Sequence, residues 1–207
     1  MLSKIKEMLQ VKAPLIEKAF QSPVEILKFS ELESLTLSKL PTEFKSLYLS
    51  SNGFKENEYA NLFYGFSFSS IEKIISKLGM IESSSNDSLQ YADKGIKREY
   101  TFSNKRIPFG DDNGTSLLCI DLDPTEDGTY GQVILLDYDM NVALKLNNSI
   151  QELVDQFEEE LENNKYSLQE DALEDGVHWL EPIRELDPIN WFNSPRWQYV
   201  NEALKNS

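Results

Sequence analysis

The chain has 207 residues, 40% of them hydrophobic and 11% aromatic, which is enough to bury a core and unlike the make-up of a disordered segment. Its formal net charge is −15 and its pI is near 4.5. That excess of acid argues against nucleic acid or an anionic membrane as a direct ligand, since both need a basic face, and leaves a basic protein partner or an acidic protein with no charge-driven partner.

In chain order, Ile5, Met8, Leu9 and Val11 recur at helical spacing, and Leu15, Ile16, Ala19 and Phe20 continue the pattern after Pro14, which suits a first helical turn. Residues 1–24 therefore read as an N-terminal helical segment. It is charged throughout, and no stretch of the chain reaches the ~18 apolar residues that span a bilayer, so a cytoplasmic location is expected. A second helical region runs from Pro23 through Ile26, Leu27 and Leu32 to Leu37. Leu40-Pro41-Thr42-Glu43 opens a clearer helix, with Thr42 as its cap, an apolar face of Phe44, Leu47, Tyr48 and Leu49, and Asn52-Gly53 as its stop. Leu62–Phe68 is aromatic-rich and strand-like, and Ser69-Ser70-Ile71-Glu72 leads into a helix to about Leu78. Residues 82–96 are polar and turn-rich, and Tyr100–Phe102 is placed to pair with Lys105–Pro108.

Between Arg106 and Leu146 three runs have strand character: Ser116–Leu122, Gln132–Tyr138 and Val142–Leu146. Asp112-Asn113-Gly114, Pro124 with Asp127-Gly128, and Asp139-Met140-Asn141 supply the turns, which predicts an antiparallel meander. From Ile107 to Leu144 there is no Lys or Arg, whereas eight acids lie there. Asn148 or Ser149 then caps a helix whose buried stripe is Ile150, Leu153, Val154, Phe157 and Leu161. Residues 163–187 are acidic, and Trp179, Trp191, Phe192, Trp197 and Tyr199 follow closely, so the C-terminal segment is expected to fold back onto the domain.

No catalytic signature emerges. The single His178 has no local triad partner, and Cys119, the only cysteine, lies in an apolar run and reads as a buried thiol that excludes an internal disulfide or a thiolate zinc site. The run from Asp121 to Gly128 lacks the acid, glycine and bidentate glutamate of a calcium loop. No cofactor, metal or catalytic residue is assigned.

An ordered series nevertheless resembles a known family. It runs from Leu40-Pro41, Leu47-Tyr48 and Asn52-Gly53 to Phe63-Tyr64-Gly65-Phe66. It continues with Ile107-Pro108-Phe109-Gly110-Asp111-Asp112-Asn113-Gly114, Ile120-Asp121-Leu122-Asp123-Pro124 and Gly131-Gln132-Val133-Ile134, and closes on Ser149–Leu153. This is similar to the SUKH superfamily, related to the fungal Smi and Knr cell-wall synthesis regulators, over about residues 25–162. Ile107 replaces the family's usual aromatic before the proline, and the paired glycines after the aspartates are reduced to Asn113-Gly114.

The resemblance implies an α+β domain with a mainly antiparallel meander sheet covered by helices, over residues 25–162. Residues 163–207 would be an acidic, aromatic extension packed on that domain. It also implies protein binding without catalysis: a bacterial immunity protein that neutralises a cognate toxin, often a nuclease with a basic face, or a regulatory scaffold. The partner-binding candidates are the acids Asp111, Asp112, Asp121, Asp123, Glu126, Asp127, Asp137 and Asp139, acting by charge, with Phe109 and Tyr130 as apolar anchors.

Overall fold

A computed structural model of the chain describes residues 1–80, 87–186 and 194–205. The N-terminal spacing produces two helices, α1 (Ser3–Lys12) and α2 (Pro14–Ala19), with Pro14 at the first position of α2, where its missing N–H costs nothing. Ile5, Leu9 and Ile16 are fully buried. Helix α3 (Leu27–Thr36) corrects the expected stripe: Phe29, Leu32 and Thr36 face inward, while Ile26, Leu27 and Leu37 stand in solvent. Helix α4 (Thr42–Ser50) buries Phe44, Leu47 and Tyr48 as expected. Its cap position is held by Pro41, whose carbonyl accepts from the Lys45 N–H, so the Thr42 cap does not form. Gly53 follows with φ +73°, and a Cβ there would lie 2.6 Å from the Ser69 backbone, which is why glycine occupies this crossing.

The aromatic run at 62–68 is mostly not a strand. It forms a 3-10 turn (Phe63–Gly65) with Tyr64 left-handed at φ 53°, and only β1 (Ser67–Phe68) is extended. The turn drives Phe63 edge-on into Phe109 and Phe157, and this packing overrides the local β preference. Helix α5 (Ile71–Met80) follows, then a two-residue strand β2 (Tyr91–Ala92) inside the polar stretch.

The meander forms as predicted: β3 (Arg106–Asp111), β4 (Ser116–Asp121), β5 (Gln132–Asp137) and β6 (Val142–Asn147). The six-stranded sheet has the order β1-β3-β4-β5-β6-β2, antiparallel throughout except for the parallel β2–β6 edge. Tyr100–Phe102 does not pair with Lys105–Pro108; the latter begins β3, which pairs with β4.

Both faces of this sheet are covered, which explains why its central strands are apolar without alternation. Ile107, Phe109, Leu118, Ile120, Val133, Leu135 and Leu144 belong to the main core with the helices. On the other face Leu117, Cys119, Ile134, Leu136 and Ala143 pack against Leu89 and Ile96 of the segment that leads into β3. Helix α6 (Ile150–Glu162) closes the main core with the predicted stripe, capped by the Ser149 hydroxyl, which accepts from the Glu152 N–H at 3.1 Å.

The C-terminal residues form β7 (Tyr166–Leu168), α7 (Glu170–Glu174), β8 (Leu180–Pro182) and α8 (Pro195–Lys205), with β7 and β8 antiparallel. Tyr166, Leu180 and Trp197 are part of the main core. Trp191 and Phe192 lie outside the described residues. No helix among the described residues is long and apolar enough to cross a membrane.

Candidate functional site

Strand alternation and meander topology decide where the candidate acids go. The β3–β4 and β5–β6 turns share one end of the sheet, because Ser116 pairs with Asp137 and the Tyr138 N–H donates to the Thr115 carbonyl. Asp111, Asp112, Asp137 and Asp139 therefore gather there. The β4–β5 turn lies at the opposite end, with Asp121, Asp123, Glu126, Asp127 and Tyr130. A six-residue strand of about 3.3 Å per residue keeps the two groups roughly 20 Å apart. The eight acids thus form two sites.

Most of them already have work within the fold. At the first end, burial raises the Asp111 carboxyl, but Lys77 Nζ, the Asn113 N–H and nearby Lys73 outweigh it and hold it below its ordinary value. Asp112 accepts from the Gly114 and Ser116 N–H groups at 2.8 and 3.0 Å, building the turn. Asp137 is buried and raised by that burial, although it accepts from the Asp139 and Met140 N–H groups. Only Asp139 is both exposed and without an ion pair among the described residues at this end.

At the second end Asp121 has 0% exposure. Burial raises its carboxyl against the opposing bonds from the Asp123 N–H and Gln132 Nε2, both at 3.0 Å. Asp123 is tied to Lys97 at 2.6 Å and accepts from the Tyr100 hydroxyl at 2.9 Å, which together outweigh burial and lower it. Asp127 pairs with Lys94 at 3.2 Å. Lys94, Lys97 and Tyr100 belong to the segment covering the second face, so these aspartates fasten that cover. Glu126 is exposed and has no ion pair among the described residues.

Three expected contacts are therefore corrected by their position. Phe109 has no exposure because strand alternation points it into the helix-covered core, and Asp121 and Asp137 are buried at strand ends as backbone acceptors. None of the three is a surface contact. His178 accepts from the Leu15 N–H through Nδ1 at 3.3 Å, joining the C-terminal segment to α2.

Tyr130 is 48% exposed and sits on a feature that the apolar periodicity did not reveal. Its hydroxyl donates to the Lys39 carbonyl at 2.5 Å, which places it beside the end of α3. There Leu37 is held left-handed at φ 49° with 80% exposure. Lys105 Nζ donates to the carbonyls of Thr36 and Leu37, at 2.5 and 3.2 Å, and fixes this turn. A left-handed leucine is costly and a solvent-exposed one gains nothing in return from the core. The sequence signal was the absence of glycine or asparagine after Thr36, where a helix end usually places one.

Residues 23–163 match the family model described as the SMI1 / KNR4 family (SUKH-1). This chain belongs to that family. No curated protein matches it. The match spans the sheet, α3 to α6 and both acidic turn clusters, while α1, α2 and the C-terminal elements lie outside it. Membership in the SMI1 / KNR4 family is consistent with a protein-binding domain of immunity or regulatory type, and such domains are generally non-enzymatic.

Proposed function

We propose that this SMI1 / KNR4 family member is an immunity protein that binds a cognate toxin with a basic working face and neutralises it. The observation that carries the reading is the exposure of Leu37 and of Tyr130, whose hydroxyl reaches Lys39 at the same helix end, with the exposed Glu126 in the Tyr130 turn, on a chain of net charge −15 in this family. An apolar and aromatic anchor with an unpaired acid at its edge suits a basic partner. The net acid steers that partner at long range, and Asp112 and Asp139 contribute to the field from the other end of the sheet.

Co-expression with the product of the adjacent gene tests this through growth rescue and complex formation. Rescue with a stable complex supports neutralisation. The triple variant Asp112→Asn/Glu126→Gln/Asp139→Asn is expected to slow association and flatten its salt dependence, while Tyr130→Ala is expected mainly to speed dissociation. A toxic neighbour that is neither bound nor neutralised would sink the pairing.

The regulatory-scaffold reading is favoured by one separate feature. Tyr199 is exposed on α8 and packs edge-on against Tyr91 of the β2 edge strand, at the end of the sheet opposite Tyr130. A partner lost on Tyr199→Ala but indifferent to Tyr130→Ala would move the assignment to that reading.

A further inference from the structure

The second face of the sheet contains a cavity of about 430 Å³, bordered by α5, the β3–β4 turn and the covering segment. This volume is in the range of small-molecule sites. Pro108, Leu117, Cys119 and Leu136 form an apolar floor, and the tilted ring pair Phe102–Tyr138, with centroids 5.5 Å apart, stands beside them. Three charged side chains also line it: Lys77, Asp111 and Arg106.

Two of these charges are accounted for. Lys77 and Asp111 form an ion pair, with Lys73 a further cation at 3.8 Å from the same carboxylate. Arg106 differs. It is 2% exposed, its NH1 and NH2 groups donate to the carbonyls of Lys97, Tyr100 and Thr101, and it forms no ion pair among the described residues. Its Nε is buried and has no hydrogen-bond partner. A buried guanidinium ordinarily satisfies all its N–H groups and meets a carboxylate. Arg106, Pro108 and Cys119 share one face and all line the cavity, while the guanidinium itself lies over the Tyr100 ring at 4.4 Å. The lining thus carries a positive charge in excess, inside a protein of net charge −15.

We propose that this cavity is a binding site for a compact apolar molecule carrying one carboxylate, with Arg106 as the anion-binding residue and Leu117, Leu136, Phe102 and Tyr138 enclosing the apolar body. An amine would meet Arg106 as a like charge, and a neutral molecule would give the orphaned Nε–H no charge-assisted bond. The site is independent of the proposed partner surface, which lies at Leu37 and Tyr130.

The test uses the full-length protein and three probes of one shape: 4-phenylbutyrate, 4-phenylbutanol and 4-phenylbutylamine. Calorimetry reads affinity and stoichiometry, and methyl chemical shifts of Leu117, Leu136 and Met80 read location. The expected result is saturable one-to-one binding of the carboxylate with shifts at those methyls, and at least tenfold weaker binding of the alcohol and the amine. Leu117→Trp, which fills the cavity and spares Arg106, is expected to abolish the signal. Equal binding of alcohol and carboxylate would overturn the assignment, as would no binding of the carboxylate or binding without shifts at those methyls. These outcomes concern the wild-type protein, so they stand even if the tryptophan variant fails to fold.

Discussion

The Asn61 side-chain amide and the Leu180 backbone, 119 positions apart, satisfy each other twice: Asn61 Nδ2 donates to the Leu180 carbonyl at 2.7 Å and the Leu180 N–H donates to Asn61 Oδ1 at 2.8 Å. Asn61 is fully buried, so neither bond competes with water. The amide replaces a strand partner for β8 and sews the C-terminal hairpin to the loop before the 3-10 turn. That side chain adds a buried polar tie to the apolar packing that joins residues beyond the family match to the same core.

Asn61→Ala should therefore orphan a buried N–H and a buried carbonyl together, costing about 2–4 kcal/mol in all. Asn61→Asp keeps one acceptor but sets a carboxylate against the Leu180 carbonyl, and should cost at least as much at neutral pH. Urea unfolding followed separately by tryptophan fluorescence, which reports the C-terminal segment, and by far-ultraviolet dichroism distinguishes the outcomes. A single shifted transition is expected; an early fluorescence transition with an unmoved dichroism transition would mean that the extension unfolds by itself.

Arg106 and Asp121 face each other in the β3–β4 register, yet the guanidinium serves the covering segment and the carboxylate serves Gln132 and the β4–β5 turn. Asp121→Asn removes a buried charge but places an amide donor against Gln132 Nε2, which already donates to the Gly95 carbonyl. The orphaned donor decides the sign: a loss of about 1–3 kcal/mol is expected in denaturant unfolding at pH 7. The wild-type carboxyl is raised in the folded state by burial, so it binds its proton more tightly there than when unfolded. Its contribution is thus more favourable below the ordinary carboxylate value and declines as pH rises through the raised one. The stability gap between wild type and Asp121→Asn should accordingly narrow as pH rises through that window; a gap that widens would refute the burial account.

Glu33 has the opposite sign. Lys45 at 2.7 Å, the Leu40 N–H at 3.0 Å and Lys39 at 3.0 Å hold its carboxyl at about 2. Stability from this group is present above its ordinary value near 4.5 and is lost as pH falls towards 2. Lys39 is 89% exposed, so solvent screens one of the three partners, and Glu33→Gln should cost only about 1 kcal/mol at pH 7. Thermal unfolding of both proteins should converge as pH falls from 5 to 2. Parallel curves would show that the ion pairs contribute nothing measurable.

The meander was legible because its strands are bounded by Asp, Asn, Gly and Pro turn residues, and α6 because Ile150, Leu153, Val154, Phe157 and Leu161 repeat at helical spacing with a serine cap. The roles of the acids were not legible. Composition makes Asp121 and Asp139 alike, whereas the structure buries one as a turn acceptor and exposes the other. Strand β2 was hidden in a polar stretch, because its pairing with β6 is a long-range relation with no local apolar pattern. Arg106 escaped notice for a similar reason: its three carbonyl acceptors lie five to nine residues upstream in irregular backbone.

Leu37 offers the sharpest test of the proposed partner surface, since its cost to the free protein and its use in binding predict opposite effects. The left-handed backbone disfavours a Cβ by about 1–2 kcal/mol, and the exposed side chain recovers little of this. Leu37→Gly relieves that strain but adds chain entropy to the unfolded state, so a net gain of about 0.5–1 kcal/mol is expected. Leu37→Asn, which tolerates the same backbone, should be close to neutral or slightly stabilising. Both should weaken a partner that docks on Tyr130, by tenfold or more if Leu37 is an anchor. A more stable protein with a weaker complex is the expected pairing. If both variants bind as tightly as wild type, Leu37 is a strained helix end and the partner surface lies elsewhere.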